Sequence, residues 1–104
     1  ALDQWKAAWE DKDMGEYLSS YASTFKYPNN MNRSEWERYR ASRITSKKII
    51  NLSLSNTKVK FNKEKVIVTF TQNYKSGALN QTSKKTLVFI EEDNNWLILE
   101  ETSK

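Results

Sequence analysis

After Ile49 the hydrophobic spacing of this chain changes from that of a helix to strict alternation, and it stays alternating almost to the C-terminus. Before that point apolar residues recur three and four apart. Leu2, Trp5, Ala8, Trp9 and Lys12 trace one helical stripe, and Met14, Tyr17, Leu18, Tyr21 and Phe25 trace a second. A third, apolar on one part and basic on the other, carries Trp36, Tyr39, Arg40, Arg43, Ile44 and Lys47. Asp13-Met14-Gly15-Glu16 and Ser34-Glu35-Trp36-Glu37 have the form of capping boxes that open the second and third helices, with Tyr27-Pro28-Asn29-Asn30 as the break between them. The first helix is expected to end near Asp13 and the third near Lys48. Alternating segments then run from Ile50 to Leu54 with Val59 and Phe61 continuing, from Lys65 to Ser76, from about Thr82 to Glu92, and from Trp96 to Thr102. Their connectors, Asn62-Lys63-Glu64, Gly77 to Gln81 and Asp93-Asn94-Asn95, are short and turn-rich, so consecutive strands pair antiparallel. Helices first and strands afterwards predict an α+β domain: three N-terminal helices packed on one face of a curved four-stranded antiparallel sheet.

A chain of 104 residues supports one hydrophobic core and not two. Cysteine and histidine are both absent, which removes disulfides, thiolate nucleophiles, imidazole bases and the usual zinc ligands together. No metal or other cofactor is expected. Only two glycines are present, too few for a phosphate-cradling loop. No stretch approaches the roughly 20 apolar residues of a membrane span, and no span is expected. The formal charge of +4 favours anionic partners and is also an ordinary solubility charge for a small domain. Lys58, Lys60, Lys63 and Lys65 would give the first hairpin a basic edge, which blunts edge pairing as readily as it meets a polyanion; nucleic acid is not the expected partner.

Within the second alternating strand, Val66, Val68 and Phe70 share a face with Gln72 and Tyr74. A strand whose inner face turns polar partway along is how a pocket wall begins. Gln72 and Tyr74 are therefore candidate ligand contacts, although a glutamine that satisfies a backbone group and an interfacial tyrosine would read the same. Arg40 and Arg43 share a helical face with Trp36 and Tyr39, which aims a guanidinium toward the sheet, whereas Arg33 and Arg38 are expected in solvent. The alternative for Arg40 and Arg43 is pairing with Glu35, Glu37 or Glu101. Lys85 lies on the face of Leu87 and Phe89, and a glutamate of the last strand would stand beside it. Strand parity groups Glu100 with Trp96 and Ile98, so Glu101 reaches that face only if a bulge intervenes. The tryptophans and tyrosines of the first two stripes read as core, with the Tyr17 and Tyr21 hydroxyls in need of partners.

The order Trp5-x-x-x-Trp9, Tyr17-x-x-x-Tyr21-x-x-x-Phe25, Trp36-x-x-x-Arg40, Val68-x-Phe70-x-Gln72-x-Tyr74-x-Ser76, Lys85-x-Leu87 and Trp96-x-Ile98-x-x-Glu101 resembles the NTF2-like (cystatin-like) superfamily. More narrowly, it resembles the C-terminal NTF2-like domain of L,D-transpeptidase-type peptidoglycan carboxypeptidases that set cell shape. The resemblance implies a cone with a cavity at its wide end, residues 1–104 forming one such domain excised from a larger protein, and a periplasmic or cell-envelope location. It also selects Glu101 over Glu100. Tyr39, Arg40, Arg43, Gln72, Tyr74, Lys85 and Glu101 are then the expected ligand-binding set.

Two functions follow as expectations. One is a non-catalytic module that recognises a peptidoglycan fragment or a similar small anionic or zwitterionic ligand for a catalytic domain of the same parent chain. The other is a small acid/base enzyme, an isomerase or cyclase; for that the chain lacks histidine and offers aspartate only at Asp3, Asp11, Asp13 and Asp93, on the first helix or in turns. A docking or homodimer module is the remaining alternative.

Overall fold

The computed structural model describes residues 1–104, as helices α1 (Leu2–Asp11), α2 (Met14–Ser19) and α3 (Arg33–Thr45), then strands β1 (Asn51–Asn62), β2 (Lys65–Ser76), β3 (Leu79–Glu92) and β4 (Asn95–Ser103). The four strands form one antiparallel sheet in the order β1-β2-β3-β4, with the helices against one face. This is the α+β layout that the change of period predicts. The core joins Trp5, Ala8 and Trp9 of α1, Tyr17 of α2, and Trp36 and Ile44 of α3 to Val68, Phe70, Leu87, Phe89 and Ile98 of the sheet. No helix is long and apolar enough to cross a membrane.

The turns explain the strand lengths. Glu92 pairs with Asn95 across Asp93 and Asn94, both at positive φ (52° and 67°), the backbone of a tight hairpin that follows the twist of its strands. Between β2 and β3 the loop is only Gly77 and Ala78, because Gly77 at φ 60° supplies the one left-handed residue needed. β3 thus begins at Leu79 rather than near Thr82.

Two helix ends differ from the sequence expectation. α3 is capped by Asn32, whose side chain accepts from the Glu35 backbone while the Glu35 carboxylate accepts from the Asn32 N–H. The box is thus two residues earlier than Ser34 to Glu37, and the helix ends at Thr45, before Lys48. α2 stops at Ser19, so Tyr21 and Phe25 keep their place in the core without being helical. The reason is the open edge of β4: Ile98 donates to Ser20 O and Ala22 donates to Ile98 O, each at 2.8 Å, and Lys26 donates to Leu99 O at 3.0 Å. The chain leaves the helix to satisfy that edge. Arg33 holds the irregular stretch in place, its guanidinium donating to Leu18 O (3.0 Å), Ala22 O (3.2 Å) and the Tyr27 hydroxyl (3.3 Å) while pairing with Glu37. Arg33 is therefore half-buried and structural, not solvated; Arg38 is exposed.

Candidate functional site

The inner face of the sheet turns polar on two neighbouring strands at the same level. On β2, Val68 and Phe70 give way to Gln72 and Tyr74; on β3, running the other way, Phe89 and Leu87 give way to Lys85, Ser83 and Gln81. The register sets Phe70 opposite Lys85, Gln72 opposite Ser83 and Tyr74 opposite Gln81. Above this end of the sheet, α3 brings Tyr39, Arg40 and Arg43. Two adjoining hollows result, of about 420 Å³ and 550 Å³, and Trp9, Arg40, Lys85 and Ser103 line both. Tyr39, Glu100 and Glu101 line the first, and Arg43, Lys47, Gln72 and Tyr74 the second.

A bulge on β4 decides which glutamate faces inward. Phe89 pairs with Ile98 and Val88 with Glu100, which leaves Leu99 as the extra residue and brings Glu101 opposite Leu87 on the core side. Glu100 pairs instead with Lys26 at the rim, at 2.5 Å.

Glu101 is the end of a directed string of hydrogen bonds. Lys85 Nζ donates to Glu101 Oε2 at 2.5 Å, and the Tyr21 hydroxyl donates to Glu101 Oε1 at 2.6 Å. A phenol has one proton to give. With its proton on Glu101, Tyr21 accepts from Trp5 Nε1 (3.0 Å) and from the Tyr17 hydroxyl (3.1 Å). Tyr17 in turn accepts from Arg40 Nε at 3.0 Å. The string therefore runs from the Arg40 cation through two phenols to one carboxylate, which a second cation also holds. The cations rest on aromatic faces: Arg40 lies 5.3 Å from the Trp9 ring centre and 5.6 Å from that of Tyr17, and Lys85 lies 5.3 Å from Trp9 and 5.6 Å from Trp5.

Burial by itself would raise the Glu101 carboxyl, but the Lys85 charge and hydrogen bond, the Tyr21 hydrogen bond and Arg40 outweigh it and hold the group below the ordinary carboxylate value. Burial first and the Glu101 charge second push the Tyr17 phenol up to about 12, against a weaker opposing effect of Arg40. Burial and Glu101 also push Tyr21 well above a free phenol. At neutral pH the string is thus one carboxylate, two neutral phenols and two cations.

All seven residues singled out in the sequence line one or other hollow. Arg40 and Arg43 make none of the proposed pairs with Glu35 or Glu37; Arg40 reaches Tyr17, and Arg43 lies over the Tyr39 ring at 5.5 Å. Trp9, Ser83 and Ser103 were not foreseen as lining. Trp9 stands in a helical core stripe, and only the tertiary placement shows that it borders both hollows.

The profile of the Cds6 C-terminal NTF2-like domain family matches residues 1–102. No curated protein matches the sequence at a significant level. Among solved structures, Bd1075 of Bdellovibrio bacteriovorus superposes with a TM-score of 0.87 at 22% identity, over 98% of this chain and 37% of that one. The helical cell shape determining protein Pgp2 of Campylobacter jejuni superposes with a TM-score of 0.82 at 22% identity, over 97% of this chain and 38% of its own. An NTF2-like family protein of Streptomyces avermitilis, provisionally named a dehydratase, superposes with a TM-score of 0.84 at 18% identity, over 98% and 89% of the two chains. The chain thus spans well under half the length of the first and second of these and nearly all of the third, and at such identities the likeness is one of fold. The family match, covering almost the whole sequence, is the stronger finding: the chain belongs to the family of Cds6 C-terminal NTF2-like domains.

Proposed function

We propose that this domain is a non-catalytic ligand-binding module of the cell envelope, which recognises a peptidoglycan-derived fragment and positions it for a catalytic domain of the same parent chain. The observation that carries this reading is the state of Glu101. Each of its oxygens already accepts a hydrogen bond, from Lys85 and from Tyr21, and its pKa is lowered, so it is a weak base at neutral pH. Neither phenol is an acid of useful strength at neutral pH. What the site offers is binding: Lys85 and Arg40 border both hollows, next to aromatic faces and the Gln72 amide, a set suited to carboxylates and amides. The choice of a peptidoglycan ligand over other small anions rests on the resemblance of the sequence to the NTF2-like domains of peptidoglycan carboxypeptidases; the fold is shared with the helical cell shape determining protein Pgp2.

Nuclear magnetic resonance titration with muropeptides tests the reading. Saturable shifts are expected at Arg40, Gln72, Tyr74 and Lys85, and are expected to weaken at least tenfold in a Lys85→Met variant that stays folded. Silence of those four residues at millimolar muropeptide refutes it. Turnover of a small substrate that disappears on Glu101→Gln would instead establish the acid/base enzyme.

A further inference from the structure

The sheet has two edges, and the chain closes only one of them. Along β4, the segment from Ser20 to Lys26 takes up the free backbone groups of Ile98 and Leu99. Along β1, the Glu10 carboxylate accepts from the Leu52 N–H, but farther along the strand residues 55–65 are all exposed. The ladder fixes which backbone groups on that open stretch are free. Leu52 donates away from β2, and in an antiparallel pair every second position does the same. β2 keeps an unbroken register with β3 from Lys65 to Ser76, so the bulge between Ser55 and Lys58 is absorbed on β1 alone. Counting along β2 from Tyr74, opposite Leu52, to Val68, opposite Val59, and Val66, opposite Phe61, turns the N–H and C=O of Val59 and Phe61 outward. The tight turn at Lys63-Glu64 gives the same parity, because it closes on Asn62 and Lys65 as a hydrogen-bonded pair. The same two residues carry apolar side chains that the helices do not cover. Val59 is 55% and Phe61 78% exposed, on the helix side of the sheet. Lys58 and Lys60 lie on the opposite side, and neither is in an ion pair.

We propose that residues 58–62 of β1 form a docking edge for an extended peptide, which adds to the sheet as a fifth strand with apolar residues opposite Val59 and Phe61 and acidic residues opposite Lys58 and Lys60. The outward N–H and C=O groups supply the main-chain hydrogen bonds, and the two faces of β1 set the alternation of the incoming strand. Neighbours across a ladder share a face, so an apolar residue beside Val59 or Phe61 covers side chains now left to water, and a carboxylate beside each lysine answers its charge. A second copy of this chain does not have that pattern. Antiparallel pairing of β1 with itself that sets Val59 against Phe61 places Lys60 against Lys60, and pairing that sets Val59 against Val59 places Lys58 against Lys60. Like charges directly opposite are destabilising, so the lysines deter self-pairing and select an acidic strand in its place. None of residues 58–62 lines either of the two hollows described above, so this surface is separate from them.

Nuclear magnetic resonance titration of this chain with an acetylated and amidated hexapeptide in which valine alternates with glutamate tests the assignment. Saturable shifts centred on residues 58–62 are expected, with amide hydrogen exchange at Val59 and Phe61 slowed at least about tenfold near saturation. Replacing the glutamates of the peptide by lysines is expected to weaken binding at least about tenfold. Lys58→Glu with Lys60→Glu, both at exposed positions, is expected to fold and to reverse that preference. Phe61→Pro removes one outward N–H without breaking the β1–β2 ladder, and is expected to abolish binding. Unchanged exchange at Val59 and Phe61 in millimolar peptide overturns the proposal, as does equal affinity for the glutamate and lysine peptides. Slowed exchange at the same amides on raising the protein concentration alone, with sedimentation as a dimer, overturns it in favour of a self-interface. Should a variant not fold, the two peptides on the unaltered protein still decide.

Discussion

Lys85 and Glu101, with side chains 6% and 18% exposed, meet at 2.5 Å under two tryptophans and a tyrosine. Taking two charges out of water is costly, and the pair is tolerated because each charge is answered. Removing one partner is worse than removing both. Lys85→Met is expected to destabilise by about 3–5 kcal/mol, because it leaves a carboxylate in the core with a phenol and the more distant Arg40 as compensation. The double variant Lys85→Met with Glu101→Gln is expected to recover at least about 1 kcal/mol relative to the sum of the single losses. Urea unfolding of the four proteins measures this coupling, and strictly additive losses would show that the two side chains do not act as a pair. The inward position of Glu101 illustrates what sequence can and cannot carry. Parity alone chose Glu100, because a bulge at Leu99 leaves no mark in the alternation of apolar residues.

At the scale of elements, α3 is the arm that holds Arg40 and Arg43 over the sheet, and its start is fixed by Asn32. Asn32→Ala removes the cap and is expected to cost about 1 kcal/mol, whereas Ser34→Ala, in the first turn with no capping bond, is expected to change stability by less than about 0.5 kcal/mol. Thermal or urea unfolding of the two variants distinguishes them; equal losses would contradict the cap assignment. Asn-x-x-Glu and Ser-x-x-Glu overlap in this stretch with the same spacing, so local pattern had no means to choose between them. The helical stripes, the four strands and the polar end of β2 were legible because periodicity reports which side of an element is buried. The end of α2 was not legible. Tyr17, Tyr21 and Phe25 keep helical spacing, yet the backbone departs after Ser19 to serve the edge of β4, a demand that comes from a strand far along the chain. Arg33 was misjudged for the same reason, since the carbonyls it holds exist only once that departure is made. Of the site, seven of the lining residues were readable; Trp9, Ser83 and Ser103, and the string that joins Arg40 to Glu101 through Tyr17 and Tyr21, were not.

For the molecule as a whole, that string ties α1, α2, α3, β3 and β4 together through Trp5, Tyr17, Arg40, Lys85 and Glu101, so its protonation is coupled to folding itself. Glu101 has a folded-state pKa below the ordinary 4.5, and so does Glu10, where burial is outweighed by hydrogen bonds from the Leu52 backbone and Lys6. A depressed carboxylate contributes stability that is present above the unfolded value and is lost as pH falls through the folded one. Stability is therefore expected to decline from about pH 4.5 downward. Tyr17 is shifted the opposite way, from 10.0 to about 12, and its neutral form is the one the fold prefers. That contribution, up to about 2–3 kcal/mol for a shift of this size, is complete below pH 10 and disappears as pH rises through 12. The urea midpoint is thus expected to be flat between the two limbs and to fall on both sides. The double variant Lys85→Met with Glu101→Gln should flatten the acid limb except for the share of Glu10, and Tyr17→Phe should flatten the alkaline limb except for the share of Tyr21. An acid limb that keeps its full slope in the double variant would place the acid sensitivity outside the buried string, and would detach the charge state of the site from the stability of the fold.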